Sequence, residues 1–551
     1  MKGRTARWSP LILWLLTAAL FFPPALRGGY SFDDRATILE NPLVQGELPA
    51  YEAFQRDYWY HRGPVGLYRP LVTLSLRAQV AAHGNLPWAL HLGNLLLHLW
   101  VLGLLLACLP RGTALGLVHL PLIVFALWPF QAEVVTWIAG RSMALCAFLG
   151  TAAWILHARA TSRGLRSALV FAGCLLPLLV REEGLAFAAA FWFASQDRGR
   201  DRTARVLVCV AVLAVVTARC TYLDPCVPKA LAQDGATIVQ RVLQGSQAWL
   251  LAASWIAWPL DLPLEVDARE LARASLWRFG AGALVLAGAV LAWRSTRPAV
   301  PADPATRAWR RAALAGLFVA LLPWMQIVPA PLAIAPRALY LPLLFLALGI
   351  APTARRACTR IPAWLPLAWI ATGCAVELRP LARAYGDELA YWEYRTATGP
   401  ERREAWNGLG NERLRRGDAV GARRDFETAI DLAPEYSRPY VGLAQCLLDQ
   451  GDREGAWHAY QQALQRSPKN PVAHAGLGQL ALSAGDSELA LQHYRRATEL
   501  QPGRAAFWRG LGRALAAAGS SAEARAAWQQ ALDLDPGDET ARRLLNGLDP
   551  P

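Results

Sequence analysis

Acidic and basic side chains gather at the edges of this chain's apolar runs, where they could meet a charged ligand. Tyr30-Ser31-Phe32-Asp33-Asp34-Arg35 follows the first apolar run, and Tyr68-Arg69-Pro70 lies near the end of the same polar stretch. His91, Asn94 and His98 sit at i, i+3 and i+7 in the second run, on one face of a helix. Trp128-Pro129-Phe130-Gln131-Ala132-Glu133 precedes Gly140-Arg141, and Arg181-Glu182-Glu183 and Pro336-Arg337 hold comparable edges. Each has a plainer use. A carboxylate pair can form a solvated turn, a polar stripe can bond helix to helix, and an arginine can snorkel to headgroups. Ionisable groups are nevertheless costly near lipid and mark function by default. Converging on one membrane face, these residues would suit a lipid-phosphate substrate.

The elements that must position them are apolar. The chain has 551 residues, 54% of them hydrophobic, and a mean hydropathy of +0.21. Residues 381–551 hold 21 basic and 23 acidic residues, a net of −2, which leaves 35 and 19, a net of +16, in 1–380. The basic excess lies in short tracts between apolar runs, a pattern of membrane topology rather than of nucleic-acid binding. Runs at roughly 8–26, 88–109, 114–130, 142–158, 167–181, 184–196, 205–222, 275–293, 311–329, 338–351 and 361–378 read as spans. The first resembles a signal sequence but reads as a retained span. Pro259 and Pro263 cut short the ambiguous run at 245–262.

Arginine-rich tracts at 159–166, 198–205, 294–311 and 355–360 are expected inside, with the N-terminal tail. The stretch 27–85 balances six arginines with six carboxylates and is expected outside. The alternation closes with about 11 spans if 245–262 does not cross, and it puts the C-terminal region outside. Nine scattered cysteines lack paired metal-ligand spacing, and most lie in apolar runs; Cys220 and Cys226 flank a loop and could pair. No metal cluster is visible, so no metal is required, and a divalent metal stays open.

The C-terminal region repeats every 34 residues, at Pro434, Pro468, Pro502 and Pro536. Gly408, Gly442, Gly476 and Gly510 keep the period, as do Gly417, Gly451, Gly485 and Gly519. That period marks tetratricopeptide repeats. Each unit carries a large residue on its first helix (Trp406, Tyr440, His474, Trp508) and an aromatic on its second (Phe426, Tyr460, Tyr494, Trp528). A small residue where the helices touch permits close approach, and the glycines are read as turn formers. Such an array is a binding scaffold and does not identify its ligand.

Phe32-Asp33-Asp34, Tyr68-Arg69-Pro70, His91-x-x-Asn94-x-x-x-His98, Pro129 with Glu133, Gly140-Arg141, Arg181-Glu182 and Arg337-x-x-Tyr340-Leu341-Pro342 occur in an order that points to a family. With the repeats, they resemble the transmembrane and tetratricopeptide-repeat-containing protein O-mannosyltransferases and their bacterial relatives. The resemblance implies an all-α protein, a polytopic helix bundle of glycosyltransferase type C with a C-terminal α-solenoid. It implies transfer of a hexose, mannose in this family, from a polyprenyl-phosphate donor to a protein or glycan hydroxyl. Asp33 or Asp34 would be the general base, with Asp34 slightly preferred, and Glu133 a further catalytic candidate. Arg141, Arg181 and Arg337 would hold the departing phosphate; Arg69, His91, His98 and Glu182 are further binding candidates. Trp128 and Phe130 depart from histidines common in that family, and Arg181 from a lysine.

The expected division is a membrane unit at 1–380 with its exterior loop at 27–85, a linker at 381–402, four repeats at 403–536, and a capping helix and tail at 537–551. Arginine in place of lysine hints at a high-GC bacterium, which would put the repeats in the periplasm; in a eukaryote they would be lumenal. Expected partners are the lipid-linked sugar, the acceptor and a protein docked on the repeats. The rival reading is a non-catalytic membrane scaffold.

Overall fold

The computed structural model describes residues 2–31, 33–58, 67–109, 119–129, 131–195, 202–222, 246–248, 250–255, 278–284, 287, 304–321, 336–350, 364–535 and 537–547. Every regular element among them is helical, and they form two compact units, Met1–Tyr394 and Arg395–Pro551.

The first unit contains α1 (Lys2–Arg27), α2 (Pro42–Gln45), α3 (Pro70–His83), α4 (Pro87–Leu106), α5 (Leu120–Leu127), α6 (Gln131–Thr136) and α7 (Arg141–Arg159). It continues with α8 (Arg163–Val180), α9 (Leu185–Ala194), α10 (Arg202–Tyr222), α11 (Pro304–Leu321), α12 (Tyr340–Ile350), α13 (Trp364–Gly386) and the first turns of α14 (Glu388–Thr398), which runs past Tyr394.

Burial along the outer helices is one-sided. In α1, Leu13, Thr17, Phe21 and Ala25 are buried at a spacing of four, while Leu11, Ile12, Leu15, Leu16 and Phe22 are exposed. In α10, Ala204, Val208, Ala211 and Val215 are buried and Val206, Val210, Leu213 and Val216 are exposed. Apolar side chains on the outward face are costly in water and at home in lipid. Helix α7 is central, packed against α4 and α8. Among the described residues five helices are long and apolar enough to cross a membrane: Ser9–Arg27, Pro87–Leu106, Ile138–Arg159, Arg163–Val180 and Arg202–Tyr222.

Three expected spans, 114–130, 184–196 and 338–351, correspond to shorter helices: α5 has 8 residues, α9 has 10 and α12 has 11. Trp128, held extended (φ −67°, ψ 142°) before Pro129, stops α5. Half of 245–262 and most of 275–293 lie outside the described residues. Residues 381–398, expected as linker, are helical instead: α13 runs through Gly386 and α14 follows, with Leu381, Tyr385 and Tyr391 buried in the core. Their apolar faces were hidden in the sequence by the charged residues interleaved with them. Cys220 is disulfide-bonded, whereas Cys226 lies outside the described residues.

The second unit stacks four helix pairs: α15 (Arg403–Arg415) with α16 (Ala419–Leu432), α17 (Arg438–Asp449) with α18 (Arg453–Arg466), α19 (Pro471–Ser483) with α20 (Ser487–Leu500), and α21 (Ala505–Ala517) with α22 (Ser521–Leu534). A last helix, α23 (Glu539–Asn546), packs on α22. The second helices of the first three pairs are capped by Asp418, Asp452 and Asp486, whose carboxylates accept from Gly421, Gly455 and Leu489 N–H.

The two glycine series differ in purpose. Gly417, Gly451, Gly485 and Gly519 have φ of 83–85°, the left-handed conformation that ends the first helix of each pair. Gly442, Gly476 and Gly510 are mid-helical and make no turn. A Cβ there would lie 2.1–2.3 Å from an aromatic ring of the preceding repeat, so these glycines are seats for Phe426, Tyr460 and Tyr494.

Candidate functional site

Asp34 has no exposed surface, yet it stands at the root of the first polar stretch. Its Oδ2 accepts from Ser31 N–H at 3.2 Å, and its Oδ1 accepts from Ala139 N–H at 2.9 Å, across 105 residues. Ser31 Oγ donates to the Tyr385 carbonyl at 2.7 Å, and Gly29 N–H to the Gly386 carbonyl at 2.6 Å. The acidic motif is thus stitched to the turn before α7 and to the end of α13. Burial pushes the Asp34 carboxyl up to about 8; the charge of Asp33 adds to this, while the N–H groups of Ser31, Ala139 and Ile138 oppose it. With its acceptors committed to backbone, Asp34 positions the motif. Asp33 beside it is half-buried. Of the two aspartates, Asp33 is the one that keeps exposed surface.

Around them lies a ring of arginines and carboxylates. Glu133, buried at the start of α6, accepts from Arg337 N–H at 3.0 Å and pairs with the Arg337 guanidinium. That guanidinium also lies over the Trp137 ring, 5.1 Å from its centroid. Glu133 thus orients an arginine, and removing either partner would leave a buried charge, a cost of about 3–5 kcal/mol. Arg181 donates to Glu183 at 2.6 Å and to Ser142 Oγ at 3.0 Å. Burial lowers the Arg181 guanidinium's proton affinity, but Glu183 outweighs it and the net direction is up. For Glu183, burial is likewise outweighed by Arg181, and its carboxyl is held low. Glu182, more exposed, accepts from Arg219 at 3.2 Å and lies 3.7 Å from Arg69. Arg69 sits over the ring of buried Tyr58, 5.7 Å from its centroid. Burial pushes the Tyr58 hydroxyl up to about 12; Arg69 and Thr37 oppose this, and Asp33 and Asp34 add to it. Tyr58 therefore feels both the acidic motif and the arginine ring.

Seven of the residues read from the sequence thus come together: Asp33, Asp34, Arg69, Glu133, Arg181, Glu182 and Arg337. Three do not join them as binding groups. Arg141, 2% exposed, spends its guanidinium on Asn94 Oδ1 (2.8 Å), the Leu90 carbonyl (2.8 Å), the Ser75 carbonyl (3.4 Å) and Gln79. It ties α3 and α4 to α7 with four of its five N–H donors. His91 contacts the Gly29 carbonyl at 2.9 Å, and His98 contacts Tyr340 Oη at 2.9 Å between Phe125 and Phe21. Both imidazoles are fully buried braces between helices. Asn94 completes the stripe, donating to the carbonyl of Trp137 at 2.8 Å, so it shapes the turn that holds Asp34.

Sequence reasoning missed Tyr58, Arg219 and Glu183 as members of the ring. Glu183 was visible as the neighbour of Glu182, but Tyr58 and Arg219 carry no local signal. Trp128, where the related family has a histidine, is buried and donates to the Trp255 carbonyl at 3.0 Å; Phe130 lies outside the described residues. Among the described residues no cluster of three or more metal-ligating side chains occurs.

The second unit matches a family description directly: tetratricopeptide repeat, at residues 407–471 and 475–539. Residues 407–539 carry tetratricopeptide repeats. Over longer stretches the chain is similar to curated proteins named protein O-mannosyl-transferase. One from Caenorhabditis elegans is 26% identical over 197 residues, 33% of this chain and 27% of that protein. The mouse protein O-mannosyl-transferase TMTC2 is 34% identical over 143 residues, 24% of this chain and 17% of its own length. The chain therefore matches about a quarter or less of these relatives' length. Among solved structures, a thermophilic tetratricopeptide-repeat protein of Thermus thermophilus is 21% identical, covering 34% of this chain and 98% of its own, with a TM-score of 0.27. The names of the curated relatives agree with the resemblance read from the residues.

Proposed function

We propose that the membrane unit is a glycosyltransferase that moves a hexose, mannose by its relatives' names, from a polyprenyl-phosphate donor to a hydroxyl of a protein or glycan. The observation that carries this is the pairing of an accessible Asp33 with a fully buried, backbone-anchored Asp34, beside a ring of half-buried arginines. Asp33 takes the acceptor's proton as the hydroxyl oxygen bonds to the anomeric carbon. The bond from that carbon to the phosphate oxygen breaks, and its electron pair leaves with the lipid phosphate. Arg337 and Arg181, pre-oriented by Glu133 and Glu183, stabilise the departing charge, and their planar forks match phosphate geometry. Arg69 and Glu182 line the approach. The repeats hold the acceptor or a partner on the same exterior side, which is the periplasm if the membrane is a bacterial inner one; protease digestion of sealed vesicles tests that side.

Membranes containing the chain, given labelled polyprenyl-phosphate mannose and a peptide mixture, should show transfer. Asp33→Asn should lower the rate by about 10²–10⁴-fold, the worth of a positioned proton acceptor. Equal transfer by the variant would remove Asp33 from the mechanism. A second reading, a membrane-anchored repeat scaffold, draws on the buried Trp128 that replaces a family histidine. It gains if wild-type membranes transfer nothing from any lipid-phosphate sugar.

A further inference from the structure

The repeats contain an internal control for what each position needs. On the first helix of every pair, the large residue turns its polar tip back to the carbonyl of the proline six residues earlier. Trp406 Nε1 donates to Pro400 at 2.7 Å, Tyr440 Oη to Pro434 at 3.0 Å, His474 Nε2 to Pro468 at 3.2 Å and Trp508 Nε1 to Pro502 at 2.7 Å. An indole or a phenol is finished by that bond. Imidazole alone has a second ring nitrogen left over, because donation by Nε2 leaves a lone pair on Nδ1.

That lone pair is met by the third repeat's other departure. Position 493 is His, where the neighbouring repeats have Ala459 and Ala527 and the first has Asp425. His474 Nδ1 and His493 Nδ1 approach to 3.1 Å, with ring centroids 5.4 Å apart. The helix pairs on either side pack with alanine at this position, so the second imidazole is not needed for the stack. Two nitrogens bound to one zinc ion at about 2.0–2.1 Å in tetrahedral geometry lie roughly 3.3 Å apart. The carbonyl behind His474 fixes the tautomer that such a ligand requires, the usual outer-shell support of a metal-bound histidine. Both rings open on a cavity of about 940 Å³ lined also by Glu488, Arg495 and Arg496, the last of which is paired with Glu499 at 2.9 Å. A cation can enter there and fill its remaining positions with water or with a carboxylate brought by a partner.

We propose that His474 and His493 form a two-imidazole site for a divalent transition metal of the zinc class, placed in the repeat groove so that an acidic group of a bound partner completes the coordination. Burial lowers the proton affinity of both rings, and for His493 the neighbouring His474 adds to this, which keeps the lone pairs available at neutral pH. The site does not depend on the glycosyltransferase reading.

The test uses the full chain in detergent, stripped with chelator and titrated with Zn²⁺ against a chromophoric competitor. The variants are His493→Ala, and His474→Tyr combined with His493→Ala, which give the third repeat the residue types of the second and should fold. Wild type should bind one equivalent more than either variant at pH 7.5, and that increment should vanish below about pH 6 as the imidazoles protonate. Equal stoichiometry in wild type and variants, or no zinc binding by wild type, would overturn the proposal and leave the pair a plain hydrogen bond.

Discussion

The two units use the same kinds of side chain and differ in how far residue type foretells role. In the repeats each position is occupied four times, and the structure gives equivalent residues the same work: Trp406, Tyr440, His474 and Trp508 all bond a proline carbonyl. In the membrane unit each polar residue occurs once. There Arg141 and Arg337, both arginines at an edge of an apolar run, have opposite fates. One is sealed among uncharged acceptors, and the other is held by Glu133 at the rim of a site. Repetition constrains interpretation, and a unique residue must be placed before its role can be read.

The sharpest way to break that contrast is Arg141→Ala. Removing the guanidinium strands Asn94 Oδ1 in the core and takes the donor from part-buried Gln79 Oε1, and each such orphan costs about 1–3 kcal/mol. Loss of roughly 3 kcal/mol or more of stability is expected, read as a large drop in thermal unfolding temperature in detergent. Lysine should not rescue it, because one ammonium cannot serve acceptors arranged for a fork. An unchanged unfolding temperature with a raised KM for the lipid donor would return Arg141 to the phosphate site.

The aspartate pair offers the next test. Asp34 is held at about 8, far above an ordinary carboxyl. From about pH 4 to 8 the folded chain keeps a proton that the unfolded chain releases, so stability falls as pH rises, by at most about 1.4 kcal/mol per pH unit. Asp34→Asn mimics the protonated acid and should flatten that slope, whereas Asp33→Asn removes only a minor raising charge and should keep most of it. Identical slopes in wild type and Asp34→Asn would show that Asp34 is not the buried acid described here.

Much of the fold was legible because lipid and helix stacking impose simple rules. Long apolar runs gave α1, α4, α7, α8 and α10, and the 34-residue period gave the repeats. The short helices α5 and α9 and the helical 381–398 were harder. Half-length apolar helices and charged amphipathic ones mimic, respectively, spans and linkers. In the site, charge type found the arginine ring, but depth did not show in one dimension. His91 and His98 are as polar as any ligand, and only their neighbours reveal them as braces.

Within the repeats, glycine separates two causes of one pattern. Gly476→Ala puts a Cβ 2.3 Å from the Tyr460 ring, an overpacking worth about 1–3 kcal/mol. Gly485→Ala meets nothing within 4 Å but must hold φ at 84°, a strain of roughly 1 kcal/mol. Denaturant midpoints should rank the two variants in that order, and the reverse order would make the turn, not the ring seat, the stronger demand.

The smallest effect probes equivalence itself. Trp508→Phe keeps the ring but deletes the bond to the Pro502 carbonyl, and Trp406→Phe does the same at Pro400. Both bonds lie at the exposed edge of the stack, where water can take the freed carbonyl, so each loss should be about 1 kcal/mol or less. The two variants should agree within measurement error despite lying at opposite ends of the array. A large cost at one end alone would mean that position in the stack, and not the shared contact, decides what the residue does. The reading of His474 as an indole's substitute with a nitrogen to spare would then lose its control.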